Sequence, residues 1–285
     1  MGLSSKGNDV QPYRYRPALF FLLTYALSWI PWAAAAWFSH RSGMTPYNYL
    51  FSFLGLLGPF ASALILIYGS GNSALKQDFR ARLLELRRVN LFYLPITILL
   101  MPIATWLAIW LSVRLGRPAS QLSIVPNLIS MLPIMFLAPS FEELGWRGYG
   151  VDALRARLGM GSATLLFGLL WAIWHAPLFL IHRSYQNDLL SGSPLYVVNF
   201  FISVMPAAII GNWLYYKHRR FIPAAILFHF MLDAVAESFA AEQFAKCIVT
   251  AVFVVVAAAI ALADRKAFRE SARNFLDSGQ AIARG

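Results

Sequence analysis

Apolar and polar positions in this chain segregate on the scale of whole helices. Long apolar runs occupy residues 17–38, 48–69, 90–113, 122–145, 162–181, 194–216, 221–241 and 246–263. Roughly 20 apolar residues in a helix cross the ~30 Å hydrocarbon layer, so the pattern predicts an all-α bundle of about eight transmembrane helices. The fourth run can also be placed at about 128–150, because Pro126 and Asn127 resemble a helix start. Residues 75–89 differ in kind. Leu75, Phe79, Leu83 and Leu86 share one helical face while Arg80, Arg82, Arg87 and Arg88 lie elsewhere, as in an amphipathic helix on the membrane surface. Tyr13, Tyr15, Trp37, Tyr47, Tyr215 and Tyr216 fall near span ends and read as interface anchors. No internal repeat or low-complexity segment is visible. The tail after Asp264 is basic and is expected to lie along the surface.

Composition agrees with this picture: 59% of residues are hydrophobic and 13% are charged, about half the charge of a soluble domain. One integral-membrane domain over 1–285 is expected, in a multi-pass protein of the cell membrane. The net charge of +11 raises nucleic-acid binding, but the basic residues sit between apolar runs, where they orient spans and meet anionic lipid. No nucleic-acid partner is expected. Counting Lys and Arg in successive non-membrane segments, alternate segments hold 19 and 5. By the positive-inside rule the richer set, including both termini, is cytoplasmic. The run from Pro17 to Phe38 is too long for a signal-peptide core of roughly 7–15 residues and reads as a retained first helix. The one cysteine, Cys247, cannot form an internal disulfide and reads as a buried thiol.

Ionisable groups at membrane depth are costly and point to function. His40, His182 and His218 fall at span edges, where a solvated imidazole is expected. Glu142, Glu143, His175, His229, Asp233 and Glu237 fall in or beside spans. They concentrate in three stretches within residues 120–240, the expected catalytic core. In "FEELGWRG", Glu143 and Arg147 are four apart and can pair, while Glu142 is turned away by about 100°. In "WAIWHAP", Trp171 and His175 are four apart, with Pro177 close behind. In "HFMLD", His229 and Asp233 share a face. Polar glue between helices explains any one stretch; the three together resemble a convergent site. A carboxylate and an imidazole can activate water, and a second imidazole can meet an oxyanion. That would hydrolyse a peptide bond. Glu142, His175 and His229 equally resemble a ligand set for a divalent metal such as zinc, and the residues leave both options open. A proton- or ion-coupled transporter is the rival from another class, though it predicts repeats that are not seen. A non-enzymatic immunity or scaffold protein is a further alternative.

The three stretches resemble the CPBP (Abi) family of intramembrane proteases, which includes the type II CAAX prenyl endopeptidases. The family pattern is EExxxR, FxxxH and HxxxN or HxxxD; here it reads Glu142-Glu143…Arg147, Trp171…His175 and His229…Asp233. The resemblance implies that Glu142 and His175 activate water, that His229 and Asp233 form an oxyanion site, and that Glu143, Arg147 and Trp171 support them. It also implies a membrane-associated peptide or protein substrate. Trp171 replaces the usual Phe, a change expected to alter pocket shape and not chemistry. An ionised Asp233 would repel an oxyanion, so it must be protonated, paired with His229 or bound to metal. Counting depth from the charge-rich ends of the spans predicts a cavity open to the cytoplasm.

Overall fold

A computed structural model describes residues 13–277. Among these residues fourteen α-helices follow in order: α1 Pro17–Ser39, α2 Thr45–Leu56, α3 Gly58–Gly69, α4 Ser73–Leu84, α5 Leu94–Arg114, α6 Leu128–Gly145, α7 Val151–Arg155, α8 Met160–Trp174, α9 Tyr185–Leu189, α10 Pro194–Lys217, α11 Ile222–Ser238, α12 Gln243–Ala263, α13 Arg265–Phe268 and α14 Ala272–Asp277. No strand occurs among the described residues, where an isolated bridge joins Ile124 and Phe239. Six helical segments are long and apolar enough to span a membrane, and α2 with α3 supplies a seventh. With 17 residues, α11 is slightly shorter and fills the eighth position. The protein is a multi-pass helical bundle.

Proline punctuates these helices. α1, α2, α3, α5, α10 and α11 each carry Pro in their first two positions, where the missing N–H has no partner to lose. The second span bends by 42° between α2 and α3, where Pro59 cannot donate to the preceding turn. Asn127 takes a left-handed conformation (φ 67°) directly before α6. The fourth span therefore starts at Leu128 and continues to Arg155, and the later of the two sequence placements is the one adopted.

Contacts between loops define two ends of the bundle. At one end, Tyr13 hydrogen-bonds Tyr149 and the buried Phe275 packs on Tyr216. At the other end His40 stacks on His182, and Glu242 N–H donates to Gln121. The first end carries the Arg-rich segments. Residues 1–12 and 278–285, including Lys6 and Arg284 in the charge count, lie outside the described residues.

The Arg-rich end is more buried than expected. α4 lies there, but Arg82 is fully buried, and so is Arg220 apart from a few per cent of its surface. Arg82 pairs with Asp78 (2.8 Å) and Asp152 (3.1 Å), and Arg220 with the same two acids (3.0 and 2.6 Å). Tyr215 and Tyr216 both donate to Asp152. Tyr15 and Tyr215 are thus interior residues and not interface anchors. His218 is also buried and not solvated, accepting from the Asn90 N–H and hydrogen-bonding Thr97. The tail after Asp264 is tied in by Arg155–Glu270 and by Phe275 beneath the Arg155 guanidinium. Cys247 is half-buried and not fully enclosed. Long aromatic and guanidinium side chains reach inward from surface backbone positions, which a periodicity count cannot register.

Candidate active site

Between Gly145 and Val151 the fourth span widens into a π-helical turn, Trp146–Gly150. Such turns free backbone carbonyls from the regular ladder. Here the carbonyls of Arg147 and Gly148 are taken up by Arg82, at 2.7 and 2.9 Å. Gly145 lets α3 approach at this level: a Cβ there would lie 2.3 Å from the Pro59 carbonyl carbon. The acids of "FEELGWRG" therefore stand on a helix braced from two sides, and not in a charged loop.

The two acids part company as their helical spacing demands. Glu143 is completely buried and accepts two hydrogen bonds from Arg147 Nη1, at 2.6 and 2.7 Å. It also receives Nδ1 of His229 at 2.9 Å. Glu142 points to the other side. Its Oε2 accepts from the indole N–H of Trp146 (3.3 Å) and of Trp171 (3.0 Å), leaving Oε1 with no protein partner among the described residues. Trp171 thus brings to Glu142 an N–H donor that Phe lacks, in addition to the expected change of pocket shape. Trp146 stands four residues after Glu142 in the same motif, the spacing that brings its N–H onto the carboxylate.

His175 sits at the C-cap of α8, where Nδ1 donates to the Trp171 carbonyl at 2.8 Å. A carbonyl partner requires the proton on Nδ1, so Nε2 is the acceptor atom. Trp174 packs edge-on against the imidazole, with ring centroids 4.9 Å apart. His229 Nε2 faces Asp233 Oδ2 at 3.8 Å, a separation that a hydrogen bond does not span but a water can bridge. The Asp233 side chain is 40% exposed.

Glu142, His175, His229 and Asp233 all line one cavity of about 980 Å³ with mainly apolar walls. Glu143, Arg147 and Trp171 stand behind this lining. No hydrogen bond joins Glu142 directly to His175 among the described residues. Glu237 and Lys246, 3.8 Å apart, line the same cavity. One wall includes Phe53, Met131, Ile134 and Leu137, which are also exposed on the outer surface, so the cavity meets the lipid-facing side between α2 and α6.

A family model described as type II CAAX prenyl endopeptidase Rce1-like matches residues 124–235. The chain is also 40% identical over 267 residues to CAAX prenyl protease 2 of Methanococcus maripaludis, a match covering 92% of this chain and 98% of that protein. The chain belongs to the CAAX prenyl protease family. It is accordingly a membrane peptidase, and the transporter and scaffold readings fall away. The matched segment contains all three motif stretches and the π-helical turn.

A divalent metal here would need several of these side chains to converge on one point. Among the described residues no group of three His, Cys, Asp or Glu side chains gathers so as to hold an ion. His229 and His175 each hold a protein partner through Nδ1, and both indole N–H groups occupy Glu142 Oε2, so Nε2 of each imidazole and Oε1 of Glu142 are the atoms left for the cavity, without converging on one point. The residues present do not form a ligand set in this arrangement.

The indole contact yields a direct test. Trp171→Phe keeps the stacking on Phe167 but removes one donor from Glu142. A hydrogen bond is worth about 0.5–1.5 kcal/mol net, so kcat is expected to fall up to about tenfold with KM little changed. Steady-state kinetics on a cleaved peptide measure this; an unchanged kcat would show that Trp171 contributes shape alone.

Proposed function

We propose that this protein is an intramembrane endopeptidase in which Glu142 activates the attacking water. The observation that carries the reading is the division of the adjacent acids. Glu143 is consumed by Arg147 and His229, whereas Glu142 keeps one carboxylate oxygen for the cavity. Indole donors hold Glu142 in one orientation, as a general base requires. Water adds to the scissile carbonyl carbon as its proton passes to Glu142 Oε1. His175, with Nε2 as acceptor, lies on the same cavity wall and helps to orient that water. His229 faces the carbonyl oxygen; Glu143 holds its Nδ1, and a doubly protonated imidazole donates from Nε2 to the developing oxyanion. Asp233 compensates the imidazolium through the 3.8 Å approach. The proton on Glu142 then passes to the leaving amine. Residues 120–240 form the catalytic core of one membrane domain, and the substrate is a membrane-associated peptide or protein, as the name of the Methanococcus relative suggests.

No step above passes through a metal, because the donors do not gather. Purified protein is to be assayed on a peptide library, with prenylated peptides included, before and after verified metal depletion. Equal rates are expected. Loss of cleavage that returns on adding zinc would replace the unassisted mechanism with a metal-bound water.

A further inference from the structure

A second cavity, of about 540 Å³, lies at the Arg-rich end where α1 begins. Arg14, Arg16 and Arg157 line it together with Tyr15 and Leu19, and no acid is among the lining residues. Its walls are fixed by bonds within the protein. The Arg16 backbone N–H donates at 3.0 Å to the hydroxyl of Tyr149, a fully buried residue of the π-helical turn. Arg157 Nη2 donates to the carbonyl of the buried Tyr15 at 3.2 Å. Among the described residues none of the three arginines has an ion-pair partner. The first turn of α1 supplies no competing acid either. Three cations around one concavity without a counter-charge make a site for an anion.

The neighbouring surface says which anion. α1 is a membrane-spanning segment, so its first turn stands at the depth of the lipid headgroups. Leu19, on the pocket wall, is followed on the same helical face by Leu22, Ala26 and Ile30, all of them exposed. A soluble phosphate has no use for such a stripe, whereas a phospholipid presents a phosphate and acyl chains together. Basic pockets at span ends take anionic headgroups.

We propose that this pocket binds the phosphate of an anionic phospholipid, whose acyl chains lie along the exposed stripe of α1. The pocket is separate from the cavity that holds Glu142, and the proposal does not depend on the endopeptidase reading.

Native mass spectrometry of the full chain in detergent, titrated with phosphatidylglycerol, tests it. Wild type is compared with Arg14→Gln/Arg157→Gln and with Arg265→Gln/Arg269→Gln, which removes the same charge from exposed positions outside the pocket. The pocket variant is expected to bind the first phosphatidylglycerol about thirtyfold more weakly, about fivefold for each basic side chain. The control variant should bind it as wild type does. Arg14→Gln alone breaks no hydrogen bond or ion pair among the described residues and is expected to weaken binding about fivefold, which keeps the test independent of folding. Equal weakening in the pocket and control variants overturns the proposal, because the charge of the whole end would then suffice. Phosphatidylcholine binding to wild type as tightly as phosphatidylglycerol overturns the anionic class. Glycerol phosphate that displaces phosphatidylglycerol at equal concentration overturns the part assigned to the acyl chains and makes the pocket a site for soluble phosphate.

Discussion

Glu142→Gln lowers kcat for peptide cleavage by about 10²–10⁴-fold, the range for loss of a positioned general base. The amide keeps the volume of the side chain, and its oxygen still accepts from Trp146 and Trp171. The fold and KM should therefore change little, which separates loss of the base from loss of the site. Glu143→Gln is the informative companion. It strips a charge from a carboxylate that holds both Arg147 and His229, so it should lower thermal stability as well as rate. A Glu142→Gln enzyme that cuts at the wild-type rate would remove Glu142 from the mechanism. Equal loss of stability in both variants would show that the two acids are structural alike.

Arg82→Leu is expected to destabilise the protein by about 3–5 kcal/mol, because removing one member of a buried ion pair leaves its partners charged and unpaired. Asp78 and Asp152 would share the single guanidinium of Arg220, and the carbonyls of Arg147 and Gly148 would lose their donor. Arg80→Leu, at an exposed position two residues away, should stay within about 0.5 kcal/mol of wild type. Unfolding in detergent, by heat or denaturant, measures both. The same cluster carries a pH signature. Burial raises the proton affinity of Asp78, but the Arg82 and Arg220 guanidiniums overcome it and hold its carboxyl below the ordinary value. A lowered folded-state value means stability that is present above the usual carboxylate range and is lost as pH falls through the folded-state value. Arg82→Leu should flatten that acid limb. If the variant unfolds at the wild-type temperature with the same acid limb, the cluster is not what holds α4 and the π-helical turn together.

Span positions, the bundle class and the three chemical stretches were legible from the chain because each depends on local quantities. Hydrocarbon thickness sets the length of an apolar run, and helical spacing sets which side chains share a face. The Glu143–Arg147 pairing is of this kind. The approach of His229 to Glu143 bridges 86 positions, and no spacing rule contains it. Nor does a spacing rule contain the indole of Trp171 reaching Glu142 across 29 positions. His218, Tyr15, Tyr215 and Arg82 are buried where the sequence suggests surface positions, for one reason. Each lies at a span edge or on the helix that caps the spans, and burial there depends on which neighbour folds over it.

The sequence alone therefore determined that this is a polytopic helical membrane protein, which end of each span is rich in Lys and Arg, and which ionisable groups stand at membrane depth. Hydropathy, charge and i,i+4 geometry are properties of one segment at a time. Only the tertiary structure decided which of the two acids keeps an oxygen free, that the indole donors hold it, and that both motif histidines line the same cavity. Those outcomes depend on how α3, α6, α8, α10 and α11 pack around the π-helical turn, and packing between distant segments leaves no periodic mark in the chain.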